Sequence, residues 1–411
     1  MLPTVVLNHV WSYLTLSERR QAELVCKMWH DQMYYADVKS FVQERERATL
    51  KQVEWLLRKM KCTLEHLDLW FPTTAFFEVA QLLSQFTKLR SLKLLMNLHG
   101  VNGLLLLPQT LRSLSLAQHG CCDQLSPIDQ NAPETQWLTR LPLLETLDIP
   151  TWMIPNGSLE ITNLKSVALY HRSQTKLNLS LISSCPNLTS VELTSFNRIT
   201  GFRQLIQLPN LTRLSIEANF DQSVDLIELW NTLAHLHTLE VLKINLLHPE
   251  NVPANLDSLN PLRLPKLTDL EVSFDLSNCA EIALLITKHS QITKLALNGH
   301  SFKLSGEAIQ DILAKSSPNL SHFSLGSKVN GPVTVEDIFM WLTIHRPKLE
   351  YINVRVIEVS ILKCIIELRK WQAACGTVLP KLSVNLLAIL SGEVDPRSLE
   401  GSNMTLFCSY E

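Results

Sequence analysis

The chain predicts an α/β solenoid, with short parallel strands on a concave side, helices on a convex side and a small helical unit in front. Two observations carry this expectation. The pattern Leu-x-x-Leu-x-Leu, with Ile, Val or Phe at some positions, recurs thirteen times between Leu64 and Val384. Between matches lie stretches with apolar residues near i, i+3 and i+4: Val79 to Phe86, Leu226 to Leu236, Ile282 to Thr287, Ala308 to Ala314, Ile338 to Ile344 and Ile361 to Trp371. A period averaging about 26 residues is too short for an independent domain, so each unit buries its apolar face by stacking on its neighbours.

The motif has a physical reading. In Leu188-Val191-Leu193 or Leu239-Leu242-Ile244, the first residue leads into a strand and the next two point to one face of it. This is the grammar of about thirteen leucine-rich repeats, and parallel strands joined in series need a crossover at each repeat. The polar residues between the leucines then face the concave side. From Leu188 onward these include Glu192, Arg213, Glu217, Lys243, Asp269, Glu271, Lys294, Tyr351, Asn353 and Arg355. Their charges alternate in sign and form no basic or acidic stripe, which points to a protein target and away from nucleic acid.

Composition agrees. A 46% hydrophobic and 18% charged chain with net charge -2 is that of a folded protein with no global attraction to polyanions or anionic membranes. The longest apolar runs are far short of a membrane span. Met1-Leu2-Pro3 opens no basic or long apolar leader, predicting no secretory signal, and nine scattered cysteines, an odd number, suit a reducing compartment, cytoplasm or nucleus. Asn187, Asn210 and Asn319 stand in glycosylation sequons, but the repeat itself places Asn before its first leucine there.

Residues 1–40 stand outside the repeat. Leu7, Val10, Trp11 and Leu14 make a helical stripe after Pro3, Ser17 can cap a second helix bearing Ala22, Leu24 and Val25, and Met28 and Trp29 follow at helical spacing. Three short helices make a very small core, which calls for a partner or the adjoining solenoid. Leu2-Pro3, Leu7, Val10-Trp11, Tyr13-Leu14 and Leu24-Val25-Cys26-Lys27-Met28-Trp29 together resemble an F-box, in its Leu-Pro to Val-Cys-x-x-Trp form. Val5 and Arg20 depart from the family's usual acidic and apolar residues.

The resemblance implies a three-helix F-box that binds a Skp-type adaptor and, through it, a cullin. It assigns Leu2, Pro3, Leu7, Val10, Trp11, Leu14 and Trp29 to the adaptor-binding motif. Trp11 and Trp29 serve either as interface anchors or as the packing that holds the three helices together.

Residues 41–63 bridge into the solenoid. Val38 to Val42 reads as a strand, and Val53, Leu56, Leu57 and Met60 as a helical stripe; with almost no Gly or Ser this is a rigid connection. The longest interval, 33 residues from Leu111 to Leu144, holds His119-Gly120-Cys121-Cys122-Asp123 and Gln130 to Glu134, turn chemistry that predicts an exposed loop over 117–143. Its His, Cys and Asp match no zinc spacing, so no metal is expected. The next repeat is the shortest, with Pro150, Trp152, Pro155 and Gly157 predicting an extended crossover in which Trp152 and Met153 plug the convex layer or offer exposed contacts. The solenoid runs over 64–385, and 386–411 reads as a C-terminal cap and tail.

None of the phosphate-binding, zinc-protease, nucleophile-elbow or Cys-x-x-Cys motifs occurs. His235 and His237, before Leu239, suit surface or capping roles. The expectation is therefore a non-catalytic chain without cofactor: a substrate receptor of a Skp-cullin-F-box ubiquitin ligase holding a target protein, or alternatively an interaction scaffold or inhibitor with no ligase link.

Overall fold

The computed structural model describes residues 39–42, 64–70, 76–96, 102–118, 133–154, 159–170, 176–218, 223–246, 264–273, 286–298, 304–325, 329–330, 349–354, 383–385 and 405–407, with residues 18, 54, 58 and 341 singly. The F-box-like segment and its helices, the bridging helical stripe, the 119–132 stretch and the helical patterns at 338–344 and 361–371 thus lie outside the described residues, apart from these single positions. The chain divides into two compact units, Met1–Ser173 with Ser180–Leu188, and Gln174–Leu179 with Thr189–Glu411.

In the first unit the strands are β1 (Ser40–Val42), β2 (His66–Trp70), β3 (Ser91–Met96), β4 (Ser113–Gln118), β5 (Thr146–Pro150) and β6 (Ser166–Tyr170), each parallel to the next. The second unit begins with β7 (Lys176–Asn178), β8 (Ser190–Phe196), β9 (Arg198–Thr200), β10 (Arg213–Ala218), β11 (Val241–Leu246) and β12 (Asp269–Ser273). It continues with β13 (Lys294–Asn298), β14 (Leu304–Ser305), β15 (His322–Leu325), β16 (Val329–Asn330), β17 (Tyr351–Val354), β18 (Ser383–Asn385) and β19 (Thr405–Phe407). Its parallel sheet runs β8-β10-β11-β12-β13-β15-β17-β18-β19, while β7 pairs with β9 and β14 with β16 in small side ladders. The segment read as a cap and tail therefore extends the sheet, because β19 pairs in parallel with β18.

Three local rules build these strands. In the motifs from Leu64 to Leu349 the second and third apolar residues fall on alternate positions of a strand, and Leu67, Leu114, Val167, Leu214 and Leu295 are all at most 2% exposed. Just before the strand, a turn closes when the first apolar residue donates its N–H to the carbonyl three residues back, as in Leu144→Leu141, Leu211→Leu208, Leu267→Leu264 and Leu320→Ser317, at 3.1–3.2 Å. Pro142, Pro209, Pro265 and Pro318 occupy the second place of these turns, where a fixed φ favours them. Finally, within each unit a junction carbonyl accepts two successive N–H groups from the following repeat: Thr293 and Lys294 both donate to the Thr268 carbonyl at 2.8 and 3.0 Å, and Ser321 and His322 to that of Thr293 at 2.8 and 3.0 Å.

Outside the 33-residue interval, the described crossovers follow repeat length. The 28-residue intervals from Leu211 and from Ile292 hold α-helices, here α2 (Ser223–Leu233) and α3 (Gly306–Lys315); α1 (Phe76–Leu83) lies in the 25-residue interval from Leu64. Shorter intervals hold 3₁₀ turns, at Asn102–Leu106 and Phe202–Gln207, because a 3₁₀ helix rises about 2.0 Å per residue against about 1.5 Å and spans the same distance with fewer residues. Two expectations are corrected on this point. The interval read as an open loop ends in a 3₁₀ helix, Pro133–Arg140, that buries Trp137 and Leu138, and the crossover read as extended opens with a 3₁₀ turn, Thr151–Met153. Met153 is fully buried and plugs the layer, Trp152 is half-buried, and the Trp137 indole N–H donates to the Met153 carbonyl at 3.2 Å.

Buried polar side chains replace leucine at the head of some turns. Cys185 donates its Sγ hydrogen to the Leu159 carbonyl at 2.9 Å, and burial pushes its thiol pKa up. His289, 1% exposed, accepts the Leu264 N–H on Nε2 at 2.9 Å. Gly201, at φ +76°, stands where a Cβ would come within 2.8 Å of Asn178 Oδ1, so both backbone and space favour glycine. On the strand edge of the first unit, Glu145 binds Lys165 Nζ at 2.7 Å and Arg112 Nη1 at 2.9 Å, and the Lys165 contact above all holds its carboxyl below the ordinary glutamate range.

Two outcomes follow from these contacts. His289→Leu orphans a buried backbone N–H and lowers the unfolding free energy by about 1–3 kcal/mol, read from the urea midpoint. Because the Glu145 pKa is lowered on folding, its contribution is present above the ordinary glutamate range and lost as pH falls through the folded-state value. Glu145→Gln therefore lowers the melting temperature at neutral pH, and the difference from wild type closes on acidification in a pH series.

Candidate functional site

In the second unit, strand register lines up the outward side chains in rows. The first row runs Arg213, Val241, Asp269, Lys294, His322, Tyr351, and the second Ser215, Lys243, Glu271, Ala296, Ser324. Because β10, β11, β12, β13, β15 and β17 all start from the same two-donor junction, residues at equal offsets from the motif stand side by side, about 4.8 Å apart. The hydroxyls at that junction reinforce it: Thr268 Oγ1 donates to the Glu240 carbonyl at 3.3 Å and Ser321 Oγ to that of Thr293 at 3.2 Å.

Charges along the rows neutralise one another. Lys243 Nζ lies 3.0 Å from Glu271 Oε2, and Lys294 Nζ 3.2 Å from Asp269 Oδ2. Past these pairs the second row drops to two small residues, Ala296 and Ser324, while the first rises to His322 and Tyr351, whose rings lie 5.7 Å apart and tilted by 33°. The result is a groove of about 310 Å³ bounded by Lys243, Asp269, Glu271, Lys294, His322 and Tyr351 over a floor at Ala296 and Ser324. His322 Nδ1 is 2.8 Å from Ser321 Oγ.

Of the residues read from sequence, five therefore meet in one groove: Lys243, Asp269, Glu271, Lys294 and Tyr351. Glu192 and Arg213 are exposed and Glu217 half-buried on β8 and β10, outside it; Asn353 lies on β17 in register with Ser324; Arg355 lies outside the described residues. So do all the adaptor-motif residues, Leu2, Pro3, Leu7, Val10, Trp11, Leu14 and Trp29. His322, Ala296 and Ser324, small or without formal charge, do not stand out in the sequence of their own repeats. Aligning the repeats would have found them, for His322 has the same offset from Leu320 as Lys294 from Ile292. His235 and His237 are exposed, and His235 Nδ1 lies 2.9 Å from the Asn231 carbonyl in the last turn of α2, a capping role. Among the described residues no group of three or more His, Cys, Asp or Glu side chains is placed to hold a metal, and no helix is long and apolar enough to cross a membrane.

This is a leucine-rich-repeat fold. The assignment stands on the chain's own motif register and parallel ladders. No family model and no curated protein matches the sequence. Among solved structures, the chain is similar to an internalin, InlF, of Listeria monocytogenes at 17% identity and TM-score 0.38, covering 73% of this chain and 84% of that one. It is similar to the leucine-rich-repeat-containing protein LegL7 of Legionella pneumophila at 14% identity and TM-score 0.38, covering 80% and 93%. A leucine-rich-repeat protein of Leptospira interrogans aligns at 15% identity and TM-score 0.35, covering 85% and 94%.

The rim charges are solvated, Lys294 with about half its side chain exposed. Lys294→Ala and Lys243→Ala are each expected to cost less than about 1 kcal/mol of stability, with the loss shrinking further in 0.5 M salt. Denaturant titration of both variants checks this and qualifies them as binding probes.

Proposed function

We propose that this chain is the substrate-recognition subunit of a Skp-cullin-F-box ubiquitin ligase. Residues 2–29 dock on the Skp-type adaptor and the repeat sheet holds the target protein. The observation that carries the recognition half is the open face of the second unit. There, side chains from successive parallel strands form straight, mainly polar rows, a rigid surface whose chemistry changes from strand to strand. Support for the adaptor half is the Leu-Pro to Val-Cys-x-x-Trp motif standing directly before the repeats.

The chain itself performs no chemistry in this reading. It acts by proximity, raising the effective concentration of target lysines beside a conjugating enzyme bound elsewhere on the complex, in the cytoplasm or nucleus. It needs no cofactor for that. Recognition by mixed-sign and aromatic side chains suits a protein target and gives no footing for nucleic acid.

Co-expression with a Skp-type adaptor, followed by size-exclusion chromatography, tests the ligase link. Stoichiometric co-elution is expected for the wild type, and its loss with unchanged circular dichroism for Leu7→Asp combined with Leu14→Asp. A folded wild type that elutes alone would overturn the link and leave a repeat scaffold or inhibitor.

A further inference from the structure

The groove over Ala296 and Ser324 is more specific than a general binding face. Every charge on its rim already has a counter-charge, Lys243 with Glu271 at 3.0 Å and Lys294 with Asp269 at 3.2 Å. An acidic anchor entering here would meet two carboxylates, a basic one two ammonium groups, and either would have to break an existing pair. A neutral side chain meets no such opposition. The floor is small and largely apolar, Ala296 having no polar side-chain atom and Ser324 one hydroxyl, and both are half-buried.

The walls add a preference among neutral groups. His322 and Tyr351 already form a tilted ring pair at 5.7 Å, an arrangement that a third ring extends by offset or edge-to-face packing. Lys294 stands next to His322 in the same row and offers a cation to a ring face. Ser324 adds a hydroxyl that can accept a hydrogen bond, so a ring with one polar hydrogen at its tip finds a partner in the groove. Across three strands the opening is about 10 Å, wide enough for one ring and too small for a folded element.

We propose that this groove is the anchor subsite for a partner polypeptide that inserts a tyrosine or tryptophan side chain from a segment with no net charge. The proposal rests on the target-recognition half of the function above and is independent of the adaptor link.

The test uses the full chain and a random twelve-residue peptide library displayed on phage, with Ala296→Leu, which fills the groove without altering charge, as counter-selector. Enriched peptides are expected to share one Tyr or Trp amid neutral residues. A fluorescein-labelled member should then lose at least tenfold in affinity, by anisotropy, on both Ala296→Leu and Tyr351→Ala, and less than twofold on Lys93→Ala in the first unit. Using Tyr351→Ala as a second variant, with circular dichroism on each, keeps the outcome readable if one of them misfolds. Enrichment of acidic or basic clusters, peptides indifferent to both groove variants, or no enrichment over the counter-selector would each overturn the proposal. Peptides that bind another face would do so while leaving the receptor reading in place. Failure of adaptor co-elution would remove the ligase link and leave the groove untouched.

Discussion

Within each unit, among the described residues, successive repeats are tied by a carbonyl with two lone pairs receiving two successive N–H groups. Thr268, Thr293 and Ser321 all use their carbonyls in this way, and so do Glu65, Arg90 and Arg112 in the first unit. The contact leaves no freedom of register. A slip by one residue would turn every leucine of the strand to water and every charged residue inward. Side chains at the same offset therefore stand in straight rows, and those rows make a set of short strands into a recognition surface.

Around this constraint the chain is permissive. A crossover needs only to reach the next turn, and it does so as an α-helix in some repeats and as a 3₁₀ turn in others. The head of the turn, usually leucine, accepts Cys185, His289 or Ser317 when each finds a hydrogen bond in its buried place. Strand β8 even carries an extra residue: Ser195 adopts φ 65° and the ladder to β10 shifts between Ile216 and Ala218, which returns Phe196 to the core. Irregularity is tolerated wherever the polar groups it buries are paired.

The same economy separates the two halves of the proposed function. A substrate receptor needs a surface free to vary and a scaffold that variation does not disturb. Outward residues such as Lys243 and Lys294 contribute little to stability, because their ion pairs are exposed, whereas the leucines beneath them cannot change. The groove at Ala296 and Ser324 arises from small residues at positions that elsewhere carry Lys and Glu. No change in backbone is needed to make a pocket on such a sheet.

The thirteen motifs determined by themselves where strands would form, which way their leucines face and that successive strands run parallel, since each of these depends on spacing within a few residues. They also placed Lys243, Asp269, Glu271, Lys294 and Tyr351 on the open face before any coordinates. What only the tertiary structure decided depends on groups far apart in sequence. That Lys294 pairs with Asp269, that Trp137 reaches the Met153 carbonyl and makes a helix of an apparent loop, and that β19 continues the sheet beyond β18 all join different repeats. So does the groove itself, whose floor is set by the small size of Ala296 and Ser324 and becomes visible only when neighbouring strands stand beside them. Local periodicity fixes the direction of a side chain, whereas its partners are set by how the repeats stack.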